Sequence, residues 1–161
     1  YTNFMKNLDV LAIGDIVIDA FIRLKEAEIM CDENKQNCKL SMDFAAKLPY
    51  ESVEICNAVG NAANAAVSAA RLGVTSGLLT YVGGDQNGKD CMTSLERDGV
   101  DTTLVHTDTD KKTNYHYVLW YDVDRTILVK HENAVSTCAI CARKRASVRG
   151  DLTSRASSAS T

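Results

Sequence analysis

No stretch of the 161-residue chain holds the eighteen or so consecutive apolar residues that a membrane-spanning helix needs. An excess of positive charge is also missing. There are 18 Lys+Arg against 21 Asp+Glu, a net charge of −3, whereas a surface built for nucleic acid or anionic lipid needs a basic footprint. The first residues, Tyr1 to Asn7, lack the basic segment and apolar run of a secretory signal, and the absence of an initial Met fits a start in mid-frame or after processing. Cysteine is limited to six residues, and without an export signal free thiols are the default expectation. What remains is 45% hydrophobic and 24% charged, the balance of an ordinary globular domain. A chain of about 150 residues buries roughly two-thirds of its surface, enough for one real core. The expectation is a soluble cytoplasmic domain with neither nucleic acid nor membrane as partner.

Composition changes near Val135. The last 27 residues hold five basic residues and one acid, a net charge of +4, which leaves −7 for residues 1–134. Residues 135–161 have no aromatic side chain and no sustained period of 3.6 or 2.0, so they offer little apolar surface against their ordering entropy. Two readings stand: a disordered basic tail, or an out-of-frame or vector-derived stretch. Composition does not separate them.

Residues 1–134 alternate between strand and helix patterns. Val10–Ile13 is a short apolar run ending at Gly14, and Ile16 to Leu24 continues with β-branched residues as a second strand. Lys25 to Lys39 is charged and aperiodic, which predicts a loop with at most one helical turn. Ser52 to Cys56 predicts a short strand. Asn61 to Leu72 is the clearest helix, with six alanines and Gly73 at its C′ position. Leu78 to Val82 reads as a buried strand, Gly88 to Asp98 as a helix, and Val100 to His106 as a strand. Tyr115 to Tyr121 alternates, with its three tyrosines and Leu119 on one side, and a turn at Asp122–Arg125 returns it through Lys130 as a β-hairpin. The sum is an α/β domain, a βαβ core with extra strands.

Several short patterns carry possible chemistry. Gly83 to Lys89 fits G-x-x-x-x-G-K between a strand and a helix, the spacing of a phosphate cradle. Asp90, however, stands where a Ser or Thr hydroxyl should meet Mg²⁺, which favours a plain strand–turn–helix junction. Asp15 and Asp19 lie four apart on a strand and share a face; they suit two hydroxyls of a polyol or a solvated strand end. Gly60-Asn61-Ala62-Ala63-Asn64 opens the alanine helix with two amides at one end, either a helix cap and packing face or a ligand contact. Cys138-Ala139-Ile140-Cys141, joined by Cys31 and Cys38, is the weak outline of a four-thiolate zinc site. His106, His116 and His131 are scattered and read as surface or strand residues, and Trp120 with the hairpin tyrosines as packing.

Taken in order, these segments resemble the N-terminal part of the ribokinase-like sugar kinases, the PfkB carbohydrate kinase family. The matching stretches are Leu11 to Asp19, Gly60 to Ala66 running on to Val74, Val82 to Lys89, Leu95 to Asp101, and Asp124 to Ile127. The resemblance implies a partial ribokinase-like fold: a βαβ core with a small β-sheet lid, its C-terminal half missing, spanning residues 1–134. It implies that Asp19 binds substrate hydroxyls and that Gly60, Asn61 and Asn64 contact the sugar or nucleoside and help the lid hinge; Asp15 is a further substrate-binding candidate. Val59 replaces the first glycine of the family's pair, and a β-branched residue disfavours positive φ there. Arg125 to Ile127 corresponds to a lid turn.

The resemblance also exposes an absence. The family's catalytic aspartate lies in a Gly-Ala-Gly-Asp motif, and after Gly99 the only glycine here is Gly150. Phosphoryl transfer needs positioning, a base and neutralisation of the γ-phosphate, and the chain offers only the first. The expectation is therefore a sugar or nucleoside kinase cut short before its catalytic residues and inactive alone. ATP and Mg²⁺ are implied for the complete enzyme, with no ligand assigned in this chain. The alternative is a non-catalytic fragment that binds a polyol or forms a homodimer through its lid strands.

Overall fold

The computed structural model describes residues 8–132. The compositionally distinct residues 135–161, with Cys138 and Cys141, lie outside the described residues. The core is a three-stranded parallel sheet in the order β1-β6-β7, formed by β1 (Val10–Ile13), β6 (Ser76–Gly83) and β7 (Val105–Asp108). Its central strand β6 is buried along nearly its whole length, which is why that segment reads as a continuous apolar run. Two helices, α1 (Asn61–Arg71) and α2 (Gln86–Arg97), make the crossovers that parallel pairing requires. Helix α1 presents Ala63 and Ala66 to the sheet, and small side chains let it sit close. Helix α2 buries Gly88, Cys91 and Leu95, spaced for one helical face. These residues join Ala12, Ile16, Ile18, Leu78, Val82 and Val100 in a single apolar cluster. Gly73, with φ 83°, ends α1 as the sequence predicts, while Leu72 supplies the cap.

A second sheet stands beside the first. It has four strands in the order β5-β2-β8-β9, from β2 (Val17–Leu24), β5 (Tyr50–Val59), β8 (Tyr115–Tyr121) and β9 (Asp124–Leu128). The hairpin pairs with the second strand as a lid should, β8 running parallel to β2 and antiparallel to β9. Strand β5 is longer than Ser52–Cys56, because its exposed outer half is held by backbone pairing to β2 and needs no apolar pattern.

Three expectations need correction. Lys25 to Lys39 is no simple loop: β3 (Glu28–Met30) and β4 (Lys39–Ser41) pair as a small hairpin, and Cys31 and Cys38 close it with a disulfide. Those two cysteines are therefore not free thiols and do not serve as zinc thiolates. Val100 to His106 is not one strand; Val100 is buried in the core, Asp101 forms a lone bridge to Gly77, and β7 starts at Val105. Helix α2 begins at Gln86, ahead of Gly88, because Asp85 caps it.

Candidate functional site

The chain leaves the core sheet through Gly14, Asp15 and Ile16, and returns from the lid through Ala58, Val59 and Gly60 into α1. These two crossings lie against each other. At Gly60, where φ is 112°, an added Cβ would sit 2.8 Å from the Asp15 carbonyl oxygen, so only glycine allows this approach. Asp15 and Gly60 are thereby brought together backbone to backbone. Asn61 is the first residue of α1 and is exposed; Asn64, one turn on, donates its backbone N–H to the Gly60 carbonyl at 2.8 Å. No side chain caps this end of the helix.

Asp19 lies one strand into the lid, on β2, between Cys56 of β5 and His116 of β8. The pairing with β5 slips beside it. Val17 opposes Val59 but Asp19 opposes Cys56, so β5 carries one extra residue and bulges. The bulge contains Ala58 in a left-handed conformation, φ 58°. Val59 stays within β5 without positive φ, so the strained geometry feared at that position falls one residue earlier, on a side chain without β-branching. Asp19 Oδ1 is buried, and no hydrogen bond reaches it. The His116 Nδ1 lies 3.3 Å away, within ion-pair range but too poorly aligned to count as a hydrogen bond.

Asn64 lines a groove of about 470 Å³ between α1, α2 and the end of β5, together with Cys56, Asn57, Asp90, Thr93 and Arg97. Asp19 is not one of its walls. Cys56 connects the two, since it faces Asp19 across the strands and also borders the groove. Burial, reinforced by the Glu54 and Asp19 carboxylates, pushes the Cys56 thiol above its ordinary value, so it stays protonated and is a poor nucleophile. His116 is the residue that the sequence reading passes over. The signal was present: alternation along β8 puts His116, Val118 and Trp120 opposite the tyrosine face, and pairing with β2 turns that face toward Asp19.

The glycine-rich turn resolves as a junction. The Asp85 carboxylate occupies the N-terminus of α2, accepting from the Gly88 N–H at 3.0 Å, the Thr113 hydroxyl at 2.6 Å and the Thr113 N–H at 3.2 Å. Burial alone would raise this carboxyl, but the bonds from Thr113 and Gly88 outweigh it and hold Asp85 below the ordinary carboxylate range. A phosphate there would meet an anion already in place. Lys89 is exposed, and a Cβ on Gly88 would run into the Gly83 carbonyl, so the glycines serve close packing. Among the described residues, no group of three or more His, Cys, Asp or Glu side chains could hold a metal ion.

Residues 13–139 match the model of the pfkB family carbohydrate kinases. The chain belongs to that family. No match was found among curated proteins. Among solved structures, the kinase family appears again. The Methanocaldococcus jannaschii nucleoside kinase is 16% identical with a TM-score of 0.59, matching 75% of this chain and 36% of its own. Arabidopsis thaliana ribokinase, complexed with ribose and ATP, is 17% identical with a TM-score of 0.58, over 75% and 35%. Halothermothrix orenii fructokinase is 23% identical with a TM-score of 0.54, over 77% and 38%. The fold is thus a partial ribokinase-like one, and the chain spans little more than a third of these relatives. No described helix is long and apolar enough to cross a membrane.

Proposed function

We propose that this chain supplies the substrate-holding part of a kinase that transfers the γ-phosphate of ATP to a hydroxyl of a sugar or nucleoside. The observation that carries the reading is Asp19 Oδ1, a buried carboxylate oxygen without a hydrogen-bond partner beside a β-bulge at the lid base. A buried, unsatisfied acceptor is costly in a folded chain, and a ligand hydroxyl satisfies it. On this reading Gly60, Asn61 and Asn64 at the start of α1, with Asp15 packed against Gly60, contact the same ligand. Holding a polyol by groups from separate elements fixes which hydroxyl faces the incoming phosphoryl group.

The rest of the reaction belongs to residues not assigned in this chain: the base, the anion hole, and the groups for ATP and Mg²⁺. Strand β1 supports this division. It is an edge of the parallel sheet, yet Val10, Leu11 and Ile13 are 37%, 39% and 39% exposed, an apolar edge of the kind that proteins ordinarily pair or cover. The complete enzyme would continue the sheet there, and residues 8–132 alone would transfer no phosphoryl group. The reading puts the enzyme in the cytoplasm, where the Cys31–Cys38 disulfide is the feature least at home. Titration of the 161-residue chain with D-ribose, D-fructose and adenosine tests the reading: one of them binds, and Asp19→Ala abolishes binding. Binding that survives Asp19→Ala contradicts it.

A second reading concerns the lid. Val53, Ile55, Tyr117 and Leu128 share its other face and are all exposed, which favours pairing of two lids in a homodimer. Sedimentation of the chain as a dimer, reduced to a monomer by Ile55→Lys, is the expected result; a monomer at all concentrations removes this reading.

A further inference from the structure

We propose that His116 is the second ligand-holding residue beside Asp19, the two presenting adjacent acceptors to neighbouring hydroxyls of one polyol; this rests on the reading of Asp19 given above. His116 is the direct partner of Asp19 in the parallel pairing of β8 with β2, so both side chains leave the same face of the lid. The Nδ1 atom lies 3.3 Å from Asp19 Oδ1 without forming a hydrogen bond, and in the tautomer that carries the ring proton on Nδ1 the buried Nε2 is an acceptor. Three buried side-chain polar atoms among the described residues lack a partner: Asp19 Oδ1, His116 Nε2 and Thr80 Oγ1. Two of the three thus fall on one adjacent pair, at the place where the family relation puts the substrate.

The surroundings choose between ligand chemistries. Toward β5 the same face offers Cys56, whose thiol stays protonated, and the Glu54 carboxylate. The first cation along the face, Arg23, is engaged by Glu51 at 2.9 Å and by the Trp120 ring. With Arg23 occupied, the two acceptors of the pair match hydroxyl donors. The ring packed on His116 is that of His131, edge-on with centroids 5.2 Å apart, and His131 is exposed.

The test is imidazole nitrogen NMR on the 161-residue chain, titrated with D-ribose, D-fructose and adenosine, with 2-deoxy-D-ribose and 2′-deoxyadenosine as controls. His116→Gln identifies the His116 signals among the three histidines. A binding polyol is expected to shift the His116 Nε2 resonance. His116→Phe, which keeps a ring but no acceptor, should weaken binding roughly five- to tenfold, and His116→Gln should recover part of that loss through its carbonyl oxygen. If Asp19→Ala abolishes binding while His116→Phe binds like the wild type with Nε2 unmoved, the proposal falls and the Asp19 reading stands. If the wild type binds none of the probes, both fall.

Discussion

Replacing Asp85 with alanine isolates the interaction that joins the core to the lid. Its carboxylate caps α2 through Gly88 and holds both the hydroxyl and the N–H of Thr113, which is 2% exposed and lies two residues before the lid strand β8. The Thr113 hydroxyl in turn accepts from the Gly83 N–H at 3.0 Å, so the network closes on itself. Loss of a helix cap costs about 1 kcal/mol, and stranding buried donors on Thr113 adds about 1–3 kcal/mol. The sum is about 2–4 kcal/mol, or roughly 8–16 °C in Tm for a domain of this size. Asp85→Asn retains one acceptor and should lose about half as much. The pH dependence is the sharper readout. Because the folded carboxyl titrates below its unfolded value, its contribution is fully present above the ordinary Asp pKa and fades as pH falls through the folded value. The stability difference between wild type and Asp85→Asn, measured by urea unfolding, should therefore shrink below about pH 4. A difference that is constant from pH 7 to pH 3, or a loss in Asp85→Ala under about 0.5 kcal/mol, refutes the role given to this network.

Other consequences are equally direct. Gly88→Ala drives a methyl into the Gly83 carbonyl and should destabilise the chain by about 1–3 kcal/mol in the same unfolding assay. Lys89→Ala should leave nucleotide binding unchanged, zero included; a nucleotide complex lost specifically on that substitution would revive the phosphate-cradle reading of Gly83 to Lys89. Peptide mapping without reductant should find Cys31 linked to Cys38, and reduction should raise hydrogen exchange in β3 and β4 while leaving α1 and β6 protected. Purified chain incubated with ATP and a sugar panel should form no phosphosugar, and turnover sensitive to Asp19→Ala would overturn the proposed division of the kinase.

Much of this was legible in the residues, and the gaps have physical causes. Alanines at helical spacing and a left-handed Gly73 mark α1 without help from tertiary structure, and an apolar run marks β6. The paired strands β3 and β4 are three residues each and none of their residues is buried, so neither has a buried face to impose a pattern. Val100 to His106 reads as one strand from its apolar start, yet Val100 is buried in the core, Asp101 forms a single bridge and regular pairing begins only at Val105. The start of α2 was visible in Asp85, a residue made for an N-cap, but the glycines around it drew attention to phosphate instead. Of the proposed site, Asp15, Asp19, Gly60, Asn61 and Asn64 follow from the family resemblance, whereas His116 depends on β8 lying beside β2. Parallel partners far apart in sequence leave no local mark, and the bulge at Ala58 is likewise a product of pairing.

The central claim is that Asp19 and the start of α1 hold a sugar or nucleoside. Backbone amide NMR of the 161-residue chain, titrated with D-ribose, D-fructose and adenosine, examines it residue by residue. The expected result is a saturable set of shifts centred on Asp15, Asp19, Gly60, Asn61 and Asn64, lost in Asp19→Ala although the variant spectrum remains folded. Saturable shifts confined to other surfaces, or none with any of the three ligands, would contradict it.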